Sequence, residues 1–294
     1  MDIQEVKIKV FAVGLGDVIF IETTYKNKEK RYFLIDTGAS HAYSRYVNKI
    51  KSVTNQLSAI ILTHKHGDHI ANIKPLLDDN QIDIASIVMR TDDSDYASKA
   101  NKILIDDITP TTDSAVNDKA KLILNPKDEN SKKIINNWGF EVLYPAKEEL
   151  PYKCDQNKNS IVLSMKVGKN IILFMGDAHK CVEKIIINRC KGNVLDWGKV
   201  KVVKVSHHGS DTASSRNFIN KFIAPVDAIV SCWTSSSNPP NKQALNRWLV
   251  QEHHLYRTGN TNGENINWNI IVQADLSEPF VYKDDECISI DSLT

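Results

Sequence analysis

Apolar positions along the 294-residue chain fall into short runs, and most of these runs end in a turn or in polar residues. Val6 to Phe11 alternate with the period of two that marks a strand, and Val18 to Glu22 resumes the pattern after the turn Val13-Gly-Leu-Gly-Asp17. A charged connection from Tyr25 to Lys30 leads to the apolar run Tyr32 to Ile35, which leaves through Asp36-Thr37-Gly38. The segment His41 to Val53 reads as an amphipathic helix carrying Tyr43, Tyr46, Val47 and Ile50. Leu57 to Leu62 is a short apolar run of the kind that makes a buried strand, Ile73 to Leu77 opens a helix, and Ile84 to Met89 is a further strand.

From Thr91 to Asn130 the pattern weakens. Asp92, Asp93 and Asp95 form a small acidic cluster there, for which helix capping or a solvated loop is the simpler reading and a metal site the alternative. Phe140 to Tyr144 is a strand, and Ser160 to Val167 pairs with Asn170 to Met175 as a hairpin about Gly168-Lys169. A helix through Val182 to Ile187 precedes the strand Val200 to Val205; Ser214 to Ile223 looks helical and Ala228 to Ser231 strand-like. Lys242 to Val250 is a helix carrying Leu245, Trp248 and Leu249, and the closing strands are Ile266 to Gln273 and Phe280 to Tyr282. Strands first, then helices interleaved with strands, then the same again: this layout predicts an α/β fold, an αββα four-layer sandwich built as one domain over residues 1–294.

Composition narrows the class. With 41% hydrophobic residues and a formal net charge of +1, the chain suits a soluble protein with a large core and lacks a strongly electrostatic nucleic-acid coat, although a local basic patch is compatible. Five dispersed cysteines (Cys154, Cys181, Cys190, Cys232 and Cys287) read as reduced thiols of an intracellular protein. The N-terminus is acidic and polar, unlike a signal peptide, and no apolar run approaches the roughly 20 residues that span a bilayer. The expectation is a cytoplasmic protein without a membrane partner.

The run Leu57 to Leu62 stops in Thr63-His64-Lys65-His66-Gly67-Asp68-His69. His64 and His66 lie two apart, so in an extended segment both imidazoles point to one side and can grip one ion. Gly67 lets the backbone turn, which aims Asp68 and His69 at a second point a few ångströms away. Two further strand ends carry ligand-type residues, Gly176-Asp177 and Ser206-His207-His208. A carboxylate such as Asp177 can bridge two cations about 3.5–4 Å apart. Neighbours on an extended strand face opposite ways, so of the adjacent pair His208 is the expected ligand, with His207 on the substrate side, as an acid or as a supporting residue. Two divalent ions, zinc or manganese by ligand type, would lower the pKa of a water, and Asp68 can orient that water while ligating. Lys65, Lys204 and Ser210 are candidates for phosphate contact, although lysines on such loops usually face solvent. His41, His179, His253 and His254 read as surface or packing histidines. The glycines of Val13-Gly-Leu-Gly-Asp17 make a tight turn, since the third glycine and following helix of a dinucleotide loop are missing.

The constellation His64-x-His66-x-Asp68-His69, Gly176-Asp177 and the later histidine resembles the metallo-β-lactamase superfamily. More narrowly, it is similar to the lactamase-like domain of bacterial DNA-uptake (competence) channel proteins and their free-standing relatives. Val13-Gly-Leu-Gly-Asp17, Asp36-Thr37-Gly38, Asn157-Lys-Asn-Ser160-Ile-Val-Leu163, Ser206-His-His-Gly-Ser210 and the Thr258, Asn262-Gly263 and Ile266 region carry that narrower likeness. The resemblance implies a metallo-β-lactamase fold, two divalent ions, and a phosphodiesterase or nuclease with nucleic acid as the leading substrate. A small ester, lactone or phosphocholine-like substrate is the alternative, and a metal-stabilised regulatory or binding subunit without catalysis the alternative of another class. Two departures stand out. The superfamily often supplies a histidine between the first motif and the bridging aspartate, whereas none occurs here between His69 and His179. Asn157 and Ser160 occupy that region as candidate lining residues, with Asp155 a possible substitute ligand. Relatives also tend to carry a His-Pro pair where this chain has Asn238-Pro239-Pro240. No motif names a protein partner.

Overall fold

The first strand shows why this chain builds two-faced sheets. In the computed structural model, which describes residues 2–91, 122–153, 155–190, 195–234, 239–260 and 262–284, strand β1 (Ile3–Val10) buries Ile3, Val6, Ile8 and Val10 and turns Lys7 and Lys9 outward. A register shift between Ile3 and Glu5 accounts for the break in the two-residue period.

Among the described residues β1 belongs to an eight-stranded sheet. Its order is β16 (Phe280–Lys283), β15 (Trp268–Gln273), β1, β2 (Ile19–Tyr25), β3 (Lys30–Ile35), β5 (Ala59–Ile61), β7 (Ser86–Val88) and β8 (Leu122–Leu124). Pairing is antiparallel from β16 to β3 and parallel from β3 to β8. A six-stranded sheet runs β14 (His254–Arg257), β13 (Asp227–Val230), β12 (Val200–Lys204), β11 (Asn170–Phe174), β10 (Val162–Val167) and β9 (Phe140–Tyr144). Here β9, β10 and β11 are antiparallel and β11 to β14 parallel. The short strands β4 (Gln56–Leu57) and β6 (Asp83–Ile84) pair beside the larger sheet, so each of two apolar runs is interrupted by one residue, at Ser58 and at Ala85.

Helices α1 (Tyr43–Lys51), α2 (Gly67–Ile70), α3 (Ile73–Asp78), α4 (Glu129–Asn137), α5 (Lys180–Arg189), α6 (Arg216–Ile219) and α7 (Lys242–Leu249) complete the described elements, with short 3-10 turns. Three apolar layers follow from this arrangement. Val6, Ile8, Phe33 and Ile61 of the larger sheet meet Phe140, Leu163, Ile172 and Ile229 of the smaller one. Tyr46, Val47, Ile50 and Leu76 pack helices on the outer face of the larger sheet, and Val182, Ile186, Phe218 and Trp248 do the same for the smaller. The result is the αββα four-layer sandwich expected from the sequence, with both β-sheets inside.

Several elements differ from the sequence reading. Helix α4 was not anticipated, because its apolar face holds little beyond Ile134 and Ile135; Asp128 caps it by accepting from the Ser131 amide at 2.8 Å. Strand β14 is a half-exposed edge without alternation. The helical stretch expected over Ser214 to Ile223 shrinks to α6, which Ser215 caps through the Phe218 amide at 3.2 Å. Asp92, Asp93 and Asp95, together with Asn238, Cys154 and Cys287, lie outside the described residues. Cys181, Cys190 and Cys232 are free thiols. Among the described residues no helix is long and apolar enough to cross a membrane.

Candidate metal centre

The site sits where ends of parallel strands from both sheets meet. Strand β5 runs through Leu62 into Thr63, whose carbonyl accepts from the Ile161 amide at 2.8 Å and so ties the two sheets together at this edge. Asp36 leaves β3 with a positive φ of 57° and is fully buried. Its Oδ1 accepts from the Thr63 amide at 2.7 Å, and its Oδ2 from the Thr63 hydroxyl at 2.6 Å. The same Oδ2 is 2.7 Å from His69 Nδ1. That bond keeps a proton on Nδ1 and turns Nε2 the other way, as the nitrogen that can give up its proton to ligate. Thr37 donates its amide (2.6 Å) and hydroxyl (3.0 Å) to the His69 carbonyl, and the Asn72 side chain ties Thr37 and Ala39 at 2.7 Å each. Asp36-Thr37-Gly38 therefore clamps α2, and with it Asp68 and His69. The turn at Gly16 leans on the same helix: its φ is +96°, and a Cβ there would sit 1.8 Å from the Asp68 carbonyl oxygen.

Two loops of the smaller sheet supply the rest. The Asp177 amide donates to Ser160 Oγ at 3.0 Å, the His207 amide to the Gly176 carbonyl at 3.1 Å, and Ser206 Oγ to the Ala178 carbonyl at 2.5 Å. His207 and His208 are both left-handed, with φ of 49° and 53°. The segment is thus not extended at this pair, and both rings bear on one carboxylate instead of pointing to opposite sides.

Asp177 Oδ2 is the hub. It lies 3.3 Å from His69 Nε2 and from His208 Nε2, 3.8 Å from His64 Nε2 and 4.0 Å from His207 Nε2. Asp68 Oδ2 lies 3.7 Å from His208 Nε2 and 3.9 Å from His69 Nε2, and His66 Nδ1 is 3.2 Å from His64 Nε2. Donors held about 2.1 Å from one ion in a tetrahedral shell stand about 3.4 Å apart, which these separations bracket. His64, His69 and Asp177 form one group of converging donors, and Asp68, His69 and His208 another. Asp177 Oδ1 is buried without a hydrogen-bond partner, which suits a carboxylate built to take a cation. Asp17 and Asp36 also converge on His69, but the Nδ1 bond makes Asp36 an orienting group.

The charges reflect the crowding. Burial opposes a charge on His69 and His208, yet Asp177 with Asp36 lifts His69 well above the usual imidazole range, and Asp177 with Asp68 lifts His208 to about 9. Burial disfavours the Asp177 anion, but His208 and His69 hold it well below the usual carboxylate range; Asp68 is lowered against burial by the same two rings. Burial pushes His64 well down, and His207 to about 4.

Other expected residues fall into distinct places. Asn157 lies beside the site, its amide nitrogen 3.2 Å from His207 Nε2 and its buried Oδ1 unpaired. Ser160 has no exposed surface and stands behind Asp177, positioning its backbone. Ser210 accepts from the Thr212 hydroxyl at 3.2 Å, and Thr212 in turn lies 2.6 Å from His207 Nδ1. Lys204 is not solvent-facing: it is buried against Asp17 at 2.8 Å, and Asp17 Oδ1 lies 3.8 Å behind His208 Nδ1. Lys65 is also buried. His179 stacks on His207, with centroids 5.0 Å apart, and its Nδ1 is 3.2 Å from Asp155. His253 packs against Trp248, His254 pairs with Asp227, and His41 stacks on Trp233. Asp36, Asp17 and Thr212 are the supporting residues that spacing did not reveal, and Lys204, expected as a phosphate contact, pairs with Asp17 in the interior instead. Asp36 came closest, as the acidic end of an apolar run.

A sequence profile described as the metallo-beta-lactamase superfamily matches residues 12–233. The chain is 26% identical over 276 residues to ComE operon protein 3 of Bacillus subtilis (strain 168), an alignment covering 86% of this chain and 31% of that protein. It is 27% identical over 164 residues to Recombination protein 2 of Haemophilus influenzae, covering 54% and 19%, and 29% identical over 120 residues to Competence protein ComA of Neisseria gonorrhoeae, covering 40% and 16%. The alignments thus span less than a third of the length of each of these relatives. Among solved structures, a diphosphatase of the PhnP family superposes with a TM-score of 0.45 at 10% identity, covering 92% of this chain and 99% of that one.

Proposed function

The chain belongs to the metallo-beta-lactamase superfamily, and from that premise we propose that it hydrolyses phosphodiester bonds with two divalent ions, nucleic acid being its substrate. The observation that carries the reading is Asp177: one carboxylate oxygen at the centre of four imidazoles, the other buried and unpaired. His64, His66 and Asp177 are assigned to one ion, and Asp68, His69, His208 and Asp177 to the other. The mixed nitrogen and oxygen donors accept zinc or manganese alike. Relatives named for recombination and competence favour nucleic acid over a small ester. Among the described residues Cys181, Cys190 and Cys232 are free thiols, which is compatible with a reducing compartment such as the cytoplasm.

When bound, the ions supply a water of lowered pKa and neutralise the anionic oxygens of the phosphodiester. The chain's own residues do the rest. Asp36 fixes the His69 tautomer. Asp68 is the carboxylate nearest solvent, 34% exposed against 2% for Asp177, so it faces substrate and orients the attacking water. Asn157, beside His207 Nε2, and Ser210, linked to His207 through Thr212, are assigned to substrate contact from the smaller sheet's side.

Purified protein should be analysed for metal per chain, then assayed on single-stranded DNA, duplex DNA, RNA and bis-p-nitrophenyl phosphate with added manganese or zinc. About two ions per chain and cleavage of a nucleic acid are expected. Trace metal under all conditions overturns the two-ion reading, and turnover of small esters alone overturns the substrate assignment.

A further inference from the structure

We propose that His207 is a ligand of the His64/His66 ion, its Nε2 standing in for the histidine that the chain lacks between His69 and His179. The proposal rests on the two-ion reading and completes it.

The backbone supplies the first argument. On a strand, adjacent side chains diverge to opposite faces. Here two successive residues adopt the left-handed conformation that L-residues avoid, held by the His207 amide on Gly176 and the Ser210 amide on the His207 carbonyl at 2.7 Å. The result is that both rings converge on Asp177 Oδ2, His208 from 3.3 Å and His207 from 4.0 Å.

Ring orientation supplies the second. Thr212 Oγ1 holds His207 Nδ1 at 2.6 Å, which leaves Nε2 facing Asp177 and the Asn157 amide. His69 is built the same way, with Asp36 on Nδ1 and Nε2 delivered to Asp177. A ligating histidine characteristically anchors its other ring nitrogen on a neighbour in this manner. Thr212 and Asn157 are then positioning residues.

The donor sets supply the third. The second ion draws on Asp68, His69, His208 and Asp177, whereas the first has only His64, His66 and Asp177 without His207. Among the imidazoles within 4.0 Å of Asp177 Oδ2, His207 alone lacks an assignment. Adding it gives each ion four protein donors, three of its own and the shared carboxylate.

The test is metal binding, read independently of activity. Wild type, His207→Asn, His207→Gly and Thr212→Val are loaded with zinc, desalted, and measured for metal per chain and for affinity by chelator competition, with far-ultraviolet circular dichroism checking the fold. Asparagine and glycine both tolerate the left-handed backbone. The expected result is two ions on wild type, one on either His207 variant, a 10–100-fold weaker first ion on Thr212→Val, and return of the lost ion to His207→Gly when imidazole is added. Two ions of unchanged affinity on folded His207 variants overturn this inference and return His207 to the substrate side, with the two-ion reading intact. Wild type that binds no metal overturns both.

Discussion

Replacing Asp36 separates its two duties. The carboxylate is fully buried and receives three donors: the Thr63 amide at 2.7 Å, the Thr63 hydroxyl at 2.6 Å and His69 Nδ1 at 2.7 Å. Asp36→Ala strands all three, at about 1–3 kcal/mol for each buried donor left unpaired, partly offset because a buried carboxylate is gone; a net loss of about 3 kcal/mol follows. Asp36→Asn keeps the shape. Its carbonyl oxygen must stay on the Thr63 amide, which cannot reverse its polarity, so the NH2 group takes the place of Oδ2. The Thr63 hydroxyl can rotate and accept. His69 can accept only by moving its proton to Nε2, the atom aimed at Asp177, and a protonated nitrogen cannot ligate. Metal affinity should fall by about 10–100-fold, or about 1.4–2.7 kcal/mol, while the metal-free fold loses less than in Asp36→Ala, the charge pairing with His69 being the main contact given up. Chelator-competition titration gives the affinity and urea unfolding of the chelated protein gives the stability. Wild-type affinity in Asp36→Asn would refute the tautomer argument.

Further expectations concern the hub, the proton balance and the interior ion pair. Asp177→Ala should abolish binding of both ions, whereas His208→Ala should remove only the ion shared with Asp68 and His69; metal per chain by mass spectrometry decides. In chelated protein, the raised pKa values of His69 and His208 mean that the folded state holds protons which the unfolded chain releases above about 6.5. That stability is complete below about pH 6.5 and lost as pH climbs through about 9, so the melting temperature should fall between pH 6.5 and 9.5. Metal-loaded protein should reverse the trend, because its ligands must be deprotonated; a flat profile for the chelated form contradicts the assignment. Lys204→Met should cost about 3–5 kcal/mol in urea unfolding by stranding buried Asp17, and adding Asp17→Asn should recover much of it. A double variant no more stable than the single one would place the cost elsewhere.

The sequence revealed those parts of the site that are local. His64, His66, Asp68 and His69 lie within six positions, and their spacing alone announces ligands; Asp177 and the His207–His208 pair are found because each ends an apolar run. The four layers followed from the strand-helix order in the same way. What spacing could not show depends on partners distant in sequence. Asp36 meets His69 across 33 positions, and Lys204 is an interior residue only because Asp17 is buried opposite it. The turn at 207–208 looked like the end of a strand because amino-acid type does not record a hydrogen bond to Gly176, which reverses the expected divergence of the two rings. Helix α4 and edge strand β14 leave no mark in the sequence because each presents too little apolar surface for a periodic pattern.

The meeting of strand ends from both sheets has a consequence for the lifetime of the molecule. His64, His66, Asp68 and His69 hang from one sheet, Asp177, His207 and His208 from the other, and the Ile161–Thr63 backbone bond is a direct tie beside them. Ions held between the two sets would act as rivets through the seam. By mass action, each ion present at 100 times its dissociation constant adds about 2.7 kcal/mol against any opening that parts the halves. Divalent-ion supply would then govern resistance to proteolysis, and a metal-starved cell would clear the empty protein faster than the loaded one.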